Sequence, residues 1–121
     1  MTTETKPVIH LEDWPVKSIP EDVAILMRVR ERLSKPENWC QGTLLETNGG
    51  DVRACLLGSI ALESGWDGRD GDFDAYVESA RLAEKRIGYD LRTGLVIFND
   101  THSHAEVLAL LDKAIKEGLA E

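Results

Sequence analysis

The sequence is short of basic residues and carries an excess of acidic ones. It contains 14 lysine and arginine residues against 22 aspartate and glutamate residues, which gives a formal net charge of −8. Because a nucleic-acid backbone is itself negative, this balance disfavours direct nucleic-acid binding. It favours instead a protein partner of basic charge, although its simplest effect is solubility.

Cysteines and long apolar runs are also scarce. Cys40 and Cys55 are too few for a disulfide framework, and we expect both to be free thiols. Apolar runs such as residues 55–57 and 95–98 are far shorter than the roughly 20 residues of a transmembrane helix, so we expect no membrane span. The N-terminal segment lacks the basic start and apolar core of a secretion signal, which predicts a cytoplasmic protein.

The remaining composition is that of a folded protein. Hydrophobic residues make up 42% of the 121 residues and charged residues 30%, which is typical of one globular domain. Residues 1–17 mix prolines, polar residues and isolated apolar residues without a helical or strand period. We therefore predict an extended N-terminal arm over residues 1–17 and a single compact domain over residues 18–121.

Apolar spacing predicts the elements of this domain. Helices are predicted from about Pro20 to Leu33, Ala54 to Glu63, Phe73 to Ile87 and His104 to Glu117. A short hairpin is predicted around Asn48-Gly49-Gly50, since Asn-Gly supplies the positive φ values of a tight turn. The run Leu95–Phe98 is short and partly β-branched, which indicates a buried strand or extended segment. The predicted fold class is α+β and mainly helical, with about four helices around one core, a short hairpin and this extended segment before the last helix.

A polar cluster stands where this run meets the last helix. Ser103 followed by Glu106 is a capping box, which accounts for part of the cluster structurally. His102 and His104 have the spacing of a two-histidine metal clip, and Asp100 is a candidate third ligand. The helix start would turn the two rings apart, and a further ligand would have to come from elsewhere. The sequence indicates no cofactor.

Cys55 is a candidate thiol nucleophile, because it precedes an apolar helix and helix N-termini stabilise thiolates. In that interpretation His104 or His102 is the base, and Asn99 or Asp100 orients it. Gln41 would donate to an oxyanion. The alternative is that Cys55 is a buried packing residue, as free cysteines commonly are.

Several short motifs, taken in order, resemble a family of small uncharacterised proteins from bacteria and their phages, known as a domain of unknown function. The resemblance covers about Leu33 to Ile115. In that family the position of Phe98 is commonly tryptophan and that of Ser59 is commonly alanine. The resemblance implies no activity. The motifs are Pro36-x-x-Trp39-x-Gln41-Gly42, Cys55-x-x-Gly58-Ser59, Phe98-Asn99-Asp100 and His104-Ala105-Glu106-Val107.

The sequence favours a non-enzymatic protein-interaction or regulatory module over an enzyme, because the catalytic set is incomplete. Two alternatives stay open. One is a hydrolase or transferase based on Cys55, and the other is an acidic mimic of nucleic acid that binds a basic protein. Self-association into a homodimer through an exposed apolar patch is a further option.

Overall fold

The computed structural model describes residues 19–66, 78–88 and 92–120. The predicted N-terminal arm and the first part of the predicted third helix, residues 73–77, lie outside these ranges. Within them the protein is mainly helical, with five α-helices and one antiparallel hairpin, and the predicted α+β class is confirmed. None of the described helices combines the length and apolarity needed to cross a lipid bilayer.

Helix α1 (Glu21–Leu33) is the centre of the fold. Pro20 occupies its N-cap position, and Glu21 and Asp22 lie in the first turn, where the helix dipole favours acids. The helix packs mainly against the helices at Leu56–Glu63, Glu78–Ile87 and His104–Leu119. Its buried stripe is aliphatic and consists of Val23, Ile25, Leu26, Val29 and Leu33.

A 3₁₀ turn at Pro36–Asn38 leads from α1 to the hairpin, which comprises β1 (Leu45–Asn48) and β2 (Asp51–Ala54). The predicted hairpin is therefore confirmed, but its turn residues are shifted by one position. Asn48 pairs with Asp51, and the positive φ values belong to Gly49 and Gly50. Two glycines suit this turn because neither has a Cβ atom to oppose a positive φ.

Helix α2 (Leu56–Glu63) follows the hairpin directly and is buried along most of its length. Cys55 caps it, since the Cys55 sulfur accepts the N–H of Gly58 at 3.3 Å. The carbonyl oxygen of Leu44 also lies against this helix. A Cβ atom added to Gly58 would stand 2.1 Å from that oxygen, so the approach of hairpin and helix depends on glycine at position 58.

The last three elements are α3 (Glu78–Ile87), α4 (Arg92–Thr101) and α5 (His104–Leu119). The extended segment predicted at Leu95–Phe98 is wrong, because these residues form the middle of helix α4. Leu95 is fully buried and Ile97 is 56% exposed. Leu95 is therefore the fully buried residue of a run that lies on an amphipathic helix, and the run does not form a strand buried on both faces.

Ion pairs connect α1 to the helices around it. Arg32 lies 2.8 Å from Glu63 of α2, Arg30 lies 2.7 Å from Asp112 of α5, and Asp22 pairs with Arg86 of α3. The predicted capping box of α5 is present. The Glu106 N–H donates to the Ser103 hydroxyl, and the Glu106 carboxylate accepts the Ser103 N–H at 2.8 Å. The Ser103 N–H, with a further contribution from the Ser103 side chain, lowers the pKa of the Glu106 carboxyl group.

Candidate functional site

Asn99 lies at the centre of the polar residues that the sequence singled out. Its side chain is fully buried on α4. The Asn99 Oδ1 atom accepts the indole N–H of Trp39 at 2.7 Å and the backbone N–H of Leu56 at 3.0 Å. Its Nδ2 atom donates to the carbonyl oxygen of Cys40 and to Asp100 Oδ1, both at 3.0 Å. All four hydrogen-bonding positions of the amide are therefore occupied.

Gln41 and Asp100 complete this network. Gln41 Nε2 donates to the carbonyl oxygens of Asn99 at 3.0 Å and His102 at 3.1 Å, at the C-terminal end of α4. Asp100 Oδ1 accepts the backbone N–H of Gly42 at 3.0 Å. We call this set of contacts the Asn99 clamp. It consists of the side chains of Trp39, Gln41, Asn99 and Asp100 and the backbone of Cys40, Gly42 and Leu56.

The clamp locks three parts of the chain together. It joins the segment that precedes the hairpin, the N-terminus of α2 and the C-terminus of α4. The donors that Gln41 would offer to an oxyanion are used on helix carbonyls, and the groups that Asn99 would use to orient a histidine are used on other partners. The hydrogen bonds of the clamp are therefore those of a structural contact between three segments, and not those of a catalytic site.

The two histidines contact different elements. His102 Nδ1 lies 2.9 Å from the carbonyl oxygen of Phe98, and its ring stacks on the Phe98 ring with centroids 3.8 Å apart. His104 Nε2 lies 2.6 Å from the carbonyl oxygen of Leu33, and its ring is tilted against Trp39 at 5.4 Å. Because a carbonyl oxygen only accepts, both of these ring nitrogens must carry the proton.

The three candidate metal ligands each contact other groups of the protein. His102, His104 and Asp100 each have partners on separate parts of the protein. In residues 19–66, 78–88 and 92–120, no three histidine, cysteine, aspartate or glutamate side chains gather as a metal site.

Both cysteines are buried free thiols, as the sequence predicts. Burial raises the pKa of Cys40 to about 11, and the neighbouring Cys55 adds to that rise. Burial also raises the pKa of Cys55, and the Asp100 carboxylate adds to it, while the Gly58 N–H opposes it. No hydrogen bond joins Cys55 to a histidine in the described part of the chain. The thiol is thus held protonated at neutral pH instead of being activated.

An open cleft of about 440 Å³ lies beside the clamp and is mainly apolar. Its walls come from the loop before β1, from α2 and from α4. Cys55 is the only residue of the predicted catalytic set that contributes to the described lining. The lining residues are Gly42, Thr43, Leu44, Cys55, Leu57, Thr93 and Val96.

The cleft does not follow from the sequence pattern, because an extended segment at residues 95–98 would not place its wall residues together. Thr93 and Val96 are three positions apart and therefore share one side of a helix. That spacing was visible in the sequence, but it becomes meaningful only once residues 92–101 are known to be helical.

The fold and the clamp define a small, mainly helical α+β protein whose hairpin is joined to two helix ends. A model of DUF6197, described as a family of unknown function, matches residues 18–117. The chain belongs to this family, which confirms the resemblance that its motifs indicate and extends the match to helix α1. No curated protein and no solved structure matches the chain.

Proposed function

We propose that this protein is a non-enzymatic interaction module that binds an apolar segment of a basic partner protein in the cleft. One observation carries the proposal. The polar side chains of the clamp bond to one another and to the backbone, while the adjoining cleft presents an open, mainly apolar surface. Concave apolar surfaces of this size are typical of binding sites. The bacterial or phage origin and the cytoplasmic location expected from the sequence belong to the same proposal.

The geometry gives the thiol-enzyme alternative little support. A nucleophilic cysteine needs a lowered pKa and a base within hydrogen-bond reach. Burial raises the pKa of Cys55 even though its sulfur accepts the Gly58 N–H, which acts in the opposite direction. His102 and His104 contact the carbonyl oxygens of Phe98 and Leu33, and in the described part of the chain neither is hydrogen-bonded to Cys55.

The acidic-mimic alternative is also less favoured. A mimic needs carboxylates that are clustered and unpaired on one face. Asp22, Glu63 and Asp112 are paired with arginines, which removes these three carboxylates from any such cluster.

Charge indicates the chemistry of the partner. The chain has a net charge of −8, and the exposed Asp100 holds the Gly42 backbone at the edge of the cleft. A partner segment with an apolar centre and flanking lysine or arginine residues complements both features. Apolar contact in the cleft would supply most of the affinity, and the flanking charges would add a component that salt weakens.

The test is a selection of displayed peptides on the full chain, followed by titration of the selected peptides. We expect an apolar core with basic flanks, and amide shifts in NMR spectra that map to Thr43, Leu57 and Thr93. The variant Thr93→Lys places a charge in the cleft and should weaken binding about tenfold or more, or about 1.4 kcal/mol. Leu82→Lys adds the same charge at an exposed position of α3, and binding should change less than about twofold.

Three results would overturn the proposal. They are an absence of enriched peptides, shifts that map away from the cleft, and equal effects of the two lysine variants. Circular dichroism of both variants verifies that the fold is retained, and Thr93 is exposed, so its replacement should be tolerated.

A further inference from the structure

Each of the two cysteines directly follows one residue of an isolated backbone bridge. Trp39 and Ala54 form an isolated parallel bridge, and the Cys40 N–H donates to the Ala54 carbonyl oxygen at 3.2 Å. Cys40 and Cys55 are the next residues on the two segments. At such a bridge the paired backbones lie about 4.8 Å apart, and one residue beyond it the two segments are still close to the Cα separation that a disulfide spans.

The direction of the side chains fits as well. Side chains alternate along extended backbone, so residues that follow a bridged pair in parallel register project to the same side. Cys55 is extended, with φ −79° and ψ 179°. The mutual electrostatic effect of the two thiols agrees with this closeness, because Cys55 contributes to the raised pKa of Cys40.

The Asn99 amide fixes the spacing of the two cysteine segments. Its Nδ2 atom donates to the carbonyl oxygen of Cys40, and its Oδ1 atom accepts the N–H of Leu56, which follows Cys55. The sulfur atoms themselves are held only weakly. Cys40 Sγ lies 3.6 Å from the Thr43 carbonyl oxygen, and Cys55 Sγ lies 3.3 Å from the Gly58 nitrogen. Rotation of either cysteine side chain about χ1 breaks only its one long sulfur contact, to Thr43 or to Gly58.

We propose that Cys40 and Cys55 form a reversible intramolecular disulfide when the protein meets a small-molecule disulfide. One cysteine thiolate attacks a sulfur of the reagent, which releases one reagent thiolate and leaves a mixed disulfide. The second cysteine thiolate then attacks the protein sulfur of that mixed disulfide and releases the second reagent thiolate. The two reagent thiolates take up the two protons that the cysteines lost, so the reagent is reduced as the protein is oxidised.

The bond would close the chain around the hairpin. It would join the segment before β1 to the end of β2, and it would draw the Cys55 sulfur away from its capping position on α2. The cleft gives the reagent a route to Cys55, which forms part of its wall. Because both thiols are protonated at neutral pH, oxidation should be slow there and faster as the pH rises.

The test is to equilibrate the folded protein with mixtures of oxidised and reduced glutathione, quench with acid and digest with trypsin. Arg53 lies between the two cysteines, so trypsin separates them unless the disulfide joins the fragments. We expect a linked peptide pair whose mass is lower by two hydrogen atoms than the sum of the free peptides. Reduced glutathione should reverse the bond, and raising the pH from 7 to 9 should accelerate its formation at least several-fold.

Cys40→Ser and Cys55→Ser are matched controls. A hydroxyl at position 55 can still accept the Gly58 N–H, and one at position 40 can still donate to Thr43, so both variants should fold. Neither should yield the linked pair. The proposal fails if the wild type forms only glutathione adducts, only disulfides between molecules, or the linked pair only in denaturant. None of these results depends on a binding partner, so they leave the proposed function separately testable.

Discussion

At the scale of single residues, the hydrogen bonds that hold the clamp together converge on one buried side-chain amide, that of Asn99. Asn99 has two donors and two acceptor positions, and each meets a complementary partner. An aliphatic side chain of similar size would leave the Cys40 carbonyl oxygen and the Leu56 N–H without their present partner. Buried polar groups are costly when unpaired, so the identity of this residue is strongly constrained.

Asn99→Asp should be strongly destabilising although it changes few atoms. A carboxylate retains the acceptor for Trp39 and Leu56, but it places an oxygen where Nδ2 now donates to Cys40 and Asp100. The Cys40 carbonyl oxygen and Asp100 Oδ1, which are both acceptors, would then face the buried negative charge of the new carboxylate. We expect the free energy of unfolding at pH 7 to fall by about 3 kcal/mol or more, as measured by urea denaturation.

The matched control is Asn48→Asp, which makes the same chemical change at an exposed position beside the hairpin turn. It should alter the free energy of unfolding by no more than about 0.5 kcal/mol. A loss below about 1 kcal/mol for Asn99→Asp would mean that the clamp contributes little to stability.

The sequence identified most residues of the clamp but not their roles. Asn99, Asp100 and Gln41 are candidate site residues in the sequence, and Trp39 belongs to one of its motifs. Their partners are distant in the chain, since Trp39 and Asn99 are 60 positions apart. Local patterns contain no information on such pairings, so catalytic and structural interpretations could not be separated before the fold was known.

At the scale of elements, prediction succeeded where the signal is local. The capping box of α5 needs only Ser103 and Glu106, and the hairpin needs only a tight glycine turn. The helical state of Leu95–Phe98 was missed because four apolar residues fit a strand and a helix equally well. The packing of residues 95–98 against α2, and the hydrogen bonds that Asn99 makes one residue later, favour the helical conformation.

Gly58→Ala tests the contact between α2 and the hairpin. In an ordinary helix interior this change stabilises by about 1 kcal/mol. Here the new Cβ atom would lie 2.1 Å from the Leu44 carbonyl oxygen, which is backbone and cannot rotate away. We expect a loss of roughly 2 kcal/mol or more in the free energy of unfolding, measured by thermal and urea denaturation.

Ser59→Ala is the control at the neighbouring buried position of α2. The Ser59 hydroxyl has no hydrogen-bond partner in the described part of the chain, so its removal should be neutral or slightly stabilising. If Gly58→Ala were as stable as Ser59→Ala, the close approach of Leu44 to α2 would be refuted.

At the scale of the whole molecule, the core is organised around α1, and the two thiols lie where the hairpin joins it. Folding moves Cys40 and Cys55 from water into a buried environment that favours their neutral forms. Proton binding by these thiols is therefore coupled to the global stability of the protein.

That coupling predicts a specific loss of stability in alkali. The pKa of Cys40 rises from 9.0 in the unfolded chain to about 11 in the folded protein, and the pKa of Cys55 is raised in the same direction. The contribution of the two neutral thiols to the free energy of unfolding is therefore complete below pH 9. It is lost as the pH rises through the folded pKa values, because the thiols of the unfolded chain release their protons first. Urea denaturation from pH 7 to pH 11, with reductant present, should show a steeper decline for the wild type than for Cys40→Ser/Cys55→Ser. Lysine and tyrosine titrate in both proteins, so equal slopes would show that burial does not raise the pKa values of the thiols.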